Sequence, residues 1–441
     1  MTENEKIVNE LIRSVTYASG VEEPILPYVG AKASLIGILF LYTMANLSKI
    51  ATIENKDDLL TMEMFRSKFF NDGKFPEDIL SYDEDLLGKF LSIFEKKFNL
   101  PSGILEINSL KKYLQDNLNT LNENLYLSES FHLGENPLQI DYQPVLTDLI
   151  NRPQNSKDTT NTYRYYTNES LQQLVAKILD VNKTETFMDC CCGMFSSALH
   201  NDAAHYIGIE QNYDMAGIAA MILIMCNKKF DLKLGNFVES EYENIAEKIF
   251  TDISYGADMS KIDNRPYGKN GDAYCIENTV KALKEGGTAV IACLGSVLLK
   301  QDSSKKLRET ITRDHLKAVI TLPSMNKDSG VNTHLIVLEK NCHAKTIKFI
   351  NASNFEIENQ KRLTLKDSDI SEIIGCFKGK KSTCPAINVK TDDILNSSNI
   401  SWSPNQYVWC DKSVITRTVN EIDQDLQASY KELEGLLYSK V

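Results

Sequence analysis

No C-x-x-C pair occurs among the ten cysteines of this 441-residue chain. Cys190, Cys191 and Cys192 form a triplet too tight for one short loop to chelate tetrahedrally, and the others are scattered. A zinc site is therefore not expected, and no metal is assigned. The six histidines add nothing to that, since only His200 and His205 lie near one another in sequence. The longest apolar run, ASLIGILFLYTMANL at Ala33–Leu47, is interrupted by polar residues. A membrane span needs roughly 20 apolar residues, so this run is expected to be a buried core helix, with no membrane partner. The start of the chain lacks the basic, apolar and small-residue order of a secretory signal, which points to reduced thiols in a cytoplasmic protein. Positive charge is also in deficit. The net charge of −12 argues against strong unaided DNA binding, because phosphate neutralisation supplies most non-specific affinity. A basic groove, or a basic partner subunit, stays open.

What is present describes a globular protein of two or three domains, with 42% hydrophobic and 24% charged residues. Residues 1–150 read as a helical domain: EKIVNELIRSV, DEDLLGKFLSIFEKKF and SLKKYLQDNLNTLNENL all space apolar residues at helical intervals. The polar stretch NRPQNSKDTTNT, 151–162, reads as a linker. Over 163–412 short β-rich runs alternate with helical segments: TFMDC, YIGIE, KIFTDIS, GTAVIACL, LKAVITL, THLIVLEK and IKFINAS. Such alternation predicts a doubly wound, mainly parallel α/β sheet. Residues 413–441 return to helical periodicity, either packing on the chain or pairing with a partner helix. The basic cluster SSKKLRET at 303–310 is expected on a solvated helix face, with DNA phosphate as its alternative role.

In a sheet of this kind ligands bind outside the carboxyl ends of the strands. FMDCCCGMFSSALH places Asp189 and Gly193 at the first such turn, where glycine admits close approach of a nucleotide-like ligand. YIGIEQN ends in Glu210, either a ribose-gripping acid or a helix cap. LKLGNFVES supplies Asn236, an adenine-edge or turn residue, and Phe237, an adenine face or core residue. FTDISYG then carries Asp252, Ile253, Ser254 and Tyr255.

In that order the segments resemble the modification (methyltransferase, HsdM-type) subunits of type I restriction-modification systems, which are adenine-N6 DNA methyltransferases. YRYYTNESLQQLVAKIL resembles the family's tyrosine-tyrosine-threonine-proline segment, DCCCGMF its D-P-A-C-G-S-G turn, and TDISYG its N-P-P-F/Y catalytic loop. The likeness continues through NGDAYCIENTVKALKEGGTAVIACLGSVLL, KKLRETITRDHLKAVITLPS, THLIVLEKN, IKFINAS and NISWSPNQYV, and so covers roughly Lys32 to the C-terminus. The resemblance implies a Rossmann-like, S-adenosylmethionine-dependent methyltransferase sheet. It implies cofactor contacts from Tyr166, Thr167, Asp189, Gly193, Glu210, Asn236 and Phe237. The catalytic loop would be Asp252, Ile253, Ser254 and Tyr255. The side chain of Asp252 and the Ile253 carbonyl would accept the two hydrogens of the adenine amine while Tyr255 stacks on the flipped base. DNA would be reached through a specificity subunit within a type I-like complex.

Three segments depart from the family pattern. The catalytic loop lacks the proline pair that fixes φ and stiffens it. The second glycine of G-S-G is Phe195, which either blocks the amino-acid end of the cofactor or turns into the sheet–helix interface. Cys190 and Asn168 stand where the family has proline. On these departures the expectation is a scaffold or regulatory homologue with impaired or lost catalysis, and the alternative is an active methyltransferase subunit with an atypical D-I-S-Y loop.

Overall fold

The computed structural model describes residues 36–37, 40, 55–70, 86–105, 141–151, 167–239, 241–252, 266–267, 270–325, 331–359 and 364–408. The linker 151–162, apart from Asn151, and the tail 413–441 lie outside them. So do Tyr166, Ile253, Ser254 and Tyr255. In the N-terminal region the described helices are α1 (Lys56–Phe70), α2 (Leu86–Lys97) and α3 (Gln143–Asn151). Of the apolar run near residue 40, Ile36 and Phe40 are helical and fully buried.

A nine-stranded sheet organises everything that follows. Its strands are β1 (Thr186–Asp189), β2 (His205–Glu210), β3 (Phe230–Leu234), β4 (Ala246–Asp252), β5 (Leu283–Cys293), β6 (Leu316–Thr321), β7 (His334–Glu339), β8 (Thr346–Asn351) and β11 (Ala386–Lys390). A separate two-stranded ribbon comprises β9 (Ile357–Asn359) and β10 (Thr364–Leu365). The order across the sheet is β11-β8-β6-β7-β5-β4-β1-β2-β3, and only β7 and β11 run against the rest. This is a mixed α/β sheet, parallel through most of its width. Because β1 lies at the centre of the reversal in order, β1, β2 and β4 bring Asp189, Glu210 and Asp252 out along one edge.

Alternate residues of each strand feed two cores. Phe187, Tyr206, Phe250 and Val290 face α4 (Glu169–Leu179) and α5 (Tyr213–Met225), while Met188, Ile207, Ile249 and Ile291 face α6 (Gly271–Ala282) and α8 (Ser304–Asp314). The four-residue helix α7 (Ser296–Leu299) lies between the last two in sequence. Every residue of α5 from Met215 to Met225 is buried. A helix apolar all round belongs inside a core, and here residues of the N-terminal region share its apolar cluster. Phe98 stacks on Phe230 at 5.8 Å, and the Tyr213 hydroxyl donates to the Ser102 carbonyl at 3.2 Å. The N-terminal helices and the sheet thus share one apolar cluster.

The basic cluster at 303–310 forms the start of α8, and Arg308 departs from the expected solvated face. It is fully buried, donating from Nε to the Ile400 carbonyl at 2.8 Å and from Nη1 to that of Val297 at 2.9 Å. Its remaining nitrogen serves the carbonyls of Lys300 and Asn399. Those carbonyls need a planar, multi-donor cation, which explains why an arginine is interred there.

Candidate cofactor and catalytic site

Asp189 ends β1 and is 3% exposed. Its Oδ1 accepts from the Cys191 amide at 3.2 Å, and its Oδ2 from the Ser197 hydroxyl at 2.5 Å. Burial nonetheless pushes its carboxyl up to about 7, the Ser197 and Cys191 hydrogen bonds oppose that, and the charges of Asp252 and Glu210 add to it. Glu210, also buried, accepts from the Gly193 amide at 2.8 Å and from the Asn212 amide at 2.7 Å. Burial raises it too, against those amides. The helix-cap alternative for Glu210 falls to its neighbour: Asn212 caps α5, its side chain accepting from the Met215 amide at 3.0 Å. Each Glu210 oxygen holds one amide hydrogen and keeps further acceptor capacity, so the carboxylate is oriented but not exhausted.

At the end of β4, half-buried Asp252 accepts from the Thr167 hydroxyl at 2.7 Å. Burial raises its carboxyl to about 6, with Thr167 acting the other way. Thr167 directly precedes the cap of α4, and the cap is Asn168. Its side-chain oxygen accepts from the amides of Ser170 (2.9 Å) and Leu171 (3.3 Å). The asparagine that replaces the family's proline therefore starts the helix by another physical device. A similar exchange occurs at Cys190. Its amide, which proline would lack, donates to the Phe250 carbonyl at 3.1 Å and ties β1 to β4.

Phe195 settles into the core. Its ring is fully buried against Phe187 (6.3 Å between centroids) and Tyr206 (6.4 Å), in the sheet–helix interface. It lies over Gly208 of β2, where an added Cβ would come within 2.8 Å of the ring. The backbone keeps a glycine-like path: φ is +56° at Phe195 and +53° at Gly193. Left-handed backbone costs a non-glycine residue about 1–2 kcal/mol, whereas full burial of a phenylalanine contributes about 1.5–3 kcal/mol. Burial wins, and the turn survives the substitution.

Asn236 and Phe237 are placed differently. The Asn236 side chain accepts from the Val238 amide (3.1 Å) and donates to Glu239 (3.0 Å), closing a local turn. Phe237 is 2% exposed and stacks on Tyr242 at 6.2 Å. Sequence reasoning missed Ser197 and Gln172, which join the Asp189, Glu210 and Asp252 group. Gln172 Nε2 donates to the Thr167 carbonyl (2.5 Å) and the Ser196 hydroxyl (2.8 Å), so the 167 segment is laced to the turn after β1. A polar residue on the buried face of an otherwise apolar helix was the available signal. Asp272, at the start of α6, is a further acid held at about 6 by burial, with Lys300 opposing.

The N-6 DNA Methylase family description matches residues 152–413. The chain belongs to the N-6 DNA methylase family. Over 321 residues it is 23% identical to the type I restriction enzyme MpnII methylase subunit of Mycoplasma pneumoniae, covering 61% of this chain and 59% of that relative's length. Among solved structures, the type I restriction-modification methyltransferase subunit of Streptococcus thermophilus superposes with a TM-score of 0.63 at 16% identity, covering 92% of this chain and all of that one. A modification subunit of a putative type I restriction enzyme from Vibrio vulnificus gives 0.57 at 12% identity, covering 91% and 96%. At these identities the structures speak for the fold, and membership of the N-6 DNA methylase family rests on the matched segment. Among the described residues, no helix is long and apolar enough to cross a membrane.

Proposed function

We propose that this chain is an HsdM-like modification subunit of a type I-like DNA methylation complex, holding S-adenosylmethionine at the carboxyl ends of β1, β2 and β4. The observation that carries this is the pair of long-range hydrogen bonds, Gly193 to Glu210 and Thr167 to Asp252, which gather four separate segments into one acidic site. The residues suit the group. Three carboxylates made uncomfortable by burial favour a cationic ligand, and the ring of Phe195 is directed away from them. When bound, S-adenosylmethionine supplies an electrophilic sulfonium methyl. Glu210 would hold the ribose hydroxyls, the Gly193 turn would allow close approach, and Tyr166 and Thr167 are assigned to the cofactor by their place in the segment before α4. Asn236 and Phe237 are assigned to the adenine ring on their place after β3. Asp252 and the Ile253 carbonyl would accept the hydrogens of the target adenine's amine, concentrating its lone pair, and Tyr255, with Ser254 beside it in sequence, is assigned to stacking on the flipped base.

DNA is engaged through a specificity subunit, in keeping with the net charge of −12, and the complex is cytoplasmic. The scaffold alternative retains one support, the proline-free catalytic loop; the capped α4 and the inward ring of Phe195 weaken its other two. Calorimetric titration of S-adenosylmethionine into the isolated chain tests the cofactor reading. Micromolar-range binding that vanishes in Glu210→Ala is expected, and no heat at millimolar cofactor would overturn it. In the reconstituted complex, adenine methylation should fall by about 100-fold or more in Asp252→Ala. Undiminished methylation, or none in the wild type, would favour the scaffold.

A further inference from the structure

Gln172 is 2% exposed in the first turns of α4. Both hydrogens of its amide are committed, one to the Thr167 carbonyl and one to the Ser196 hydroxyl. That fixes its orientation, since a flipped amide would set oxygen against the Thr167 carbonyl. Its Oε1 is then left buried without a hydrogen-bond partner among the described residues. An orphaned buried acceptor is costly, and native structures retain one where a ligand or water completes it. The two groups that clamp Gln172 belong to the walls of the site. Thr167 donates to Asp252, and Ser197, next to Ser196, donates to Asp189. Acceptors and acids therefore dominate this end of the site. Glu210, at the end of the adjacent strand, is held ready for hydroxyl donors.

A ligand matching both ends carries hydroxyls at one and an N–H-rich cation at the other. Resting on the cofactor reading above, we infer that Gln172 Oε1 accepts a hydrogen from the α-ammonium of the cofactor's amino-acid tail. Gln172 is thereby a specificity residue as well as a brace between the two walls.

The test uses the full chain and two thioether probes, S-adenosylhomocysteine and its deamino analogue, which lacks the ammonium. By calorimetry the wild type should prefer the aminated probe by about tenfold or more, the usual loss for a hydrogen bond to a charged group. Gln172→Met and Gln172→Asn should each abolish or sharply reduce that preference, whatever the loss of the brace costs both probes alike. Equal binding of the two probes by the wild type overturns the inference, as does a preference that persists in a folded variant. A uniform loss for both probes would show Gln172 to be only a brace. If the wild type binds neither probe, the cofactor reading itself fails and the inference with it.

Discussion

The turn after β1 and the turn after β3 read alike in sequence, each a glycine-bearing segment leaving a strand with candidate ligand residues beyond it. Their partners differ. The first is tied to distant segments: Gly193 to Glu210, Ser196 to Gln172, and Ser197, through Asp189, to the acidic group. In the second the Asn236 side chain meets its neighbours Val238 and Glu239, and it is the backbone that is tied at a distance, the Gly235 amide donating to the Glu210 carbonyl and Asn278 donating to the carbonyls of Phe237 and Val238. A side chain that satisfies itself locally does so with or without a ligand. One held by residues far along the chain has been positioned by the fold as a whole.

The contrast can be broken in several ways. The largest effect should come from Asp189. Its carboxyl rises from 3.8 unfolded to about 7 folded, so its stabilising contribution is complete below about 4 and is lost as pH rises through 7. Asp189→Asn should therefore gain thermal stability relative to wild type between pH 4 and 8 without ligand, read from paired melting curves. A constant difference across that range would contradict the burial of this acid. Next comes Phe195→Ala, which empties the space over Gly208; denaturant unfolding should show a loss of about 3–5 kcal/mol. Were the ring in the pocket instead, stability would hardly change. The smallest effects sharpen the contrast: Asn168→Ala should cost about 1 kcal/mol through its cap, and Asn236→Ala about 0.5 kcal/mol or less.

Much of the fold was legible because β1, β2, β4, β5, β6, β7 and β8 are apolar runs of strand length, and their carboxyl ends are visible once the runs are. The edge strand β11 was not, since AINVK is exposed along most of its length and carries no buried pattern. Within the site, Asp189, Gly193, Glu210 and Asp252 could be named from position alone. The fate of Phe195 could not, because it depends on Gly208 across the sheet, a pairing that local sequence does not express. Sequence presented Phe195, Cys190 and Asn168 as losses of family residues. In three dimensions they supply a buried ring, an interstrand hydrogen bond and a helix cap. The departures belong together as a repacked turn.

The wholly apolar α5 has a consequence for where this protein can be cut. The family match begins at residue 152, yet the apolar cluster that holds that helix includes residues before it, among them Phe90, Leu100 and Leu146. A fragment starting at the family boundary would lose that part of the cluster. Glu210 and the N-terminal helices are in this sense parts of one packed unit, and that unit is larger than the segment that names the family.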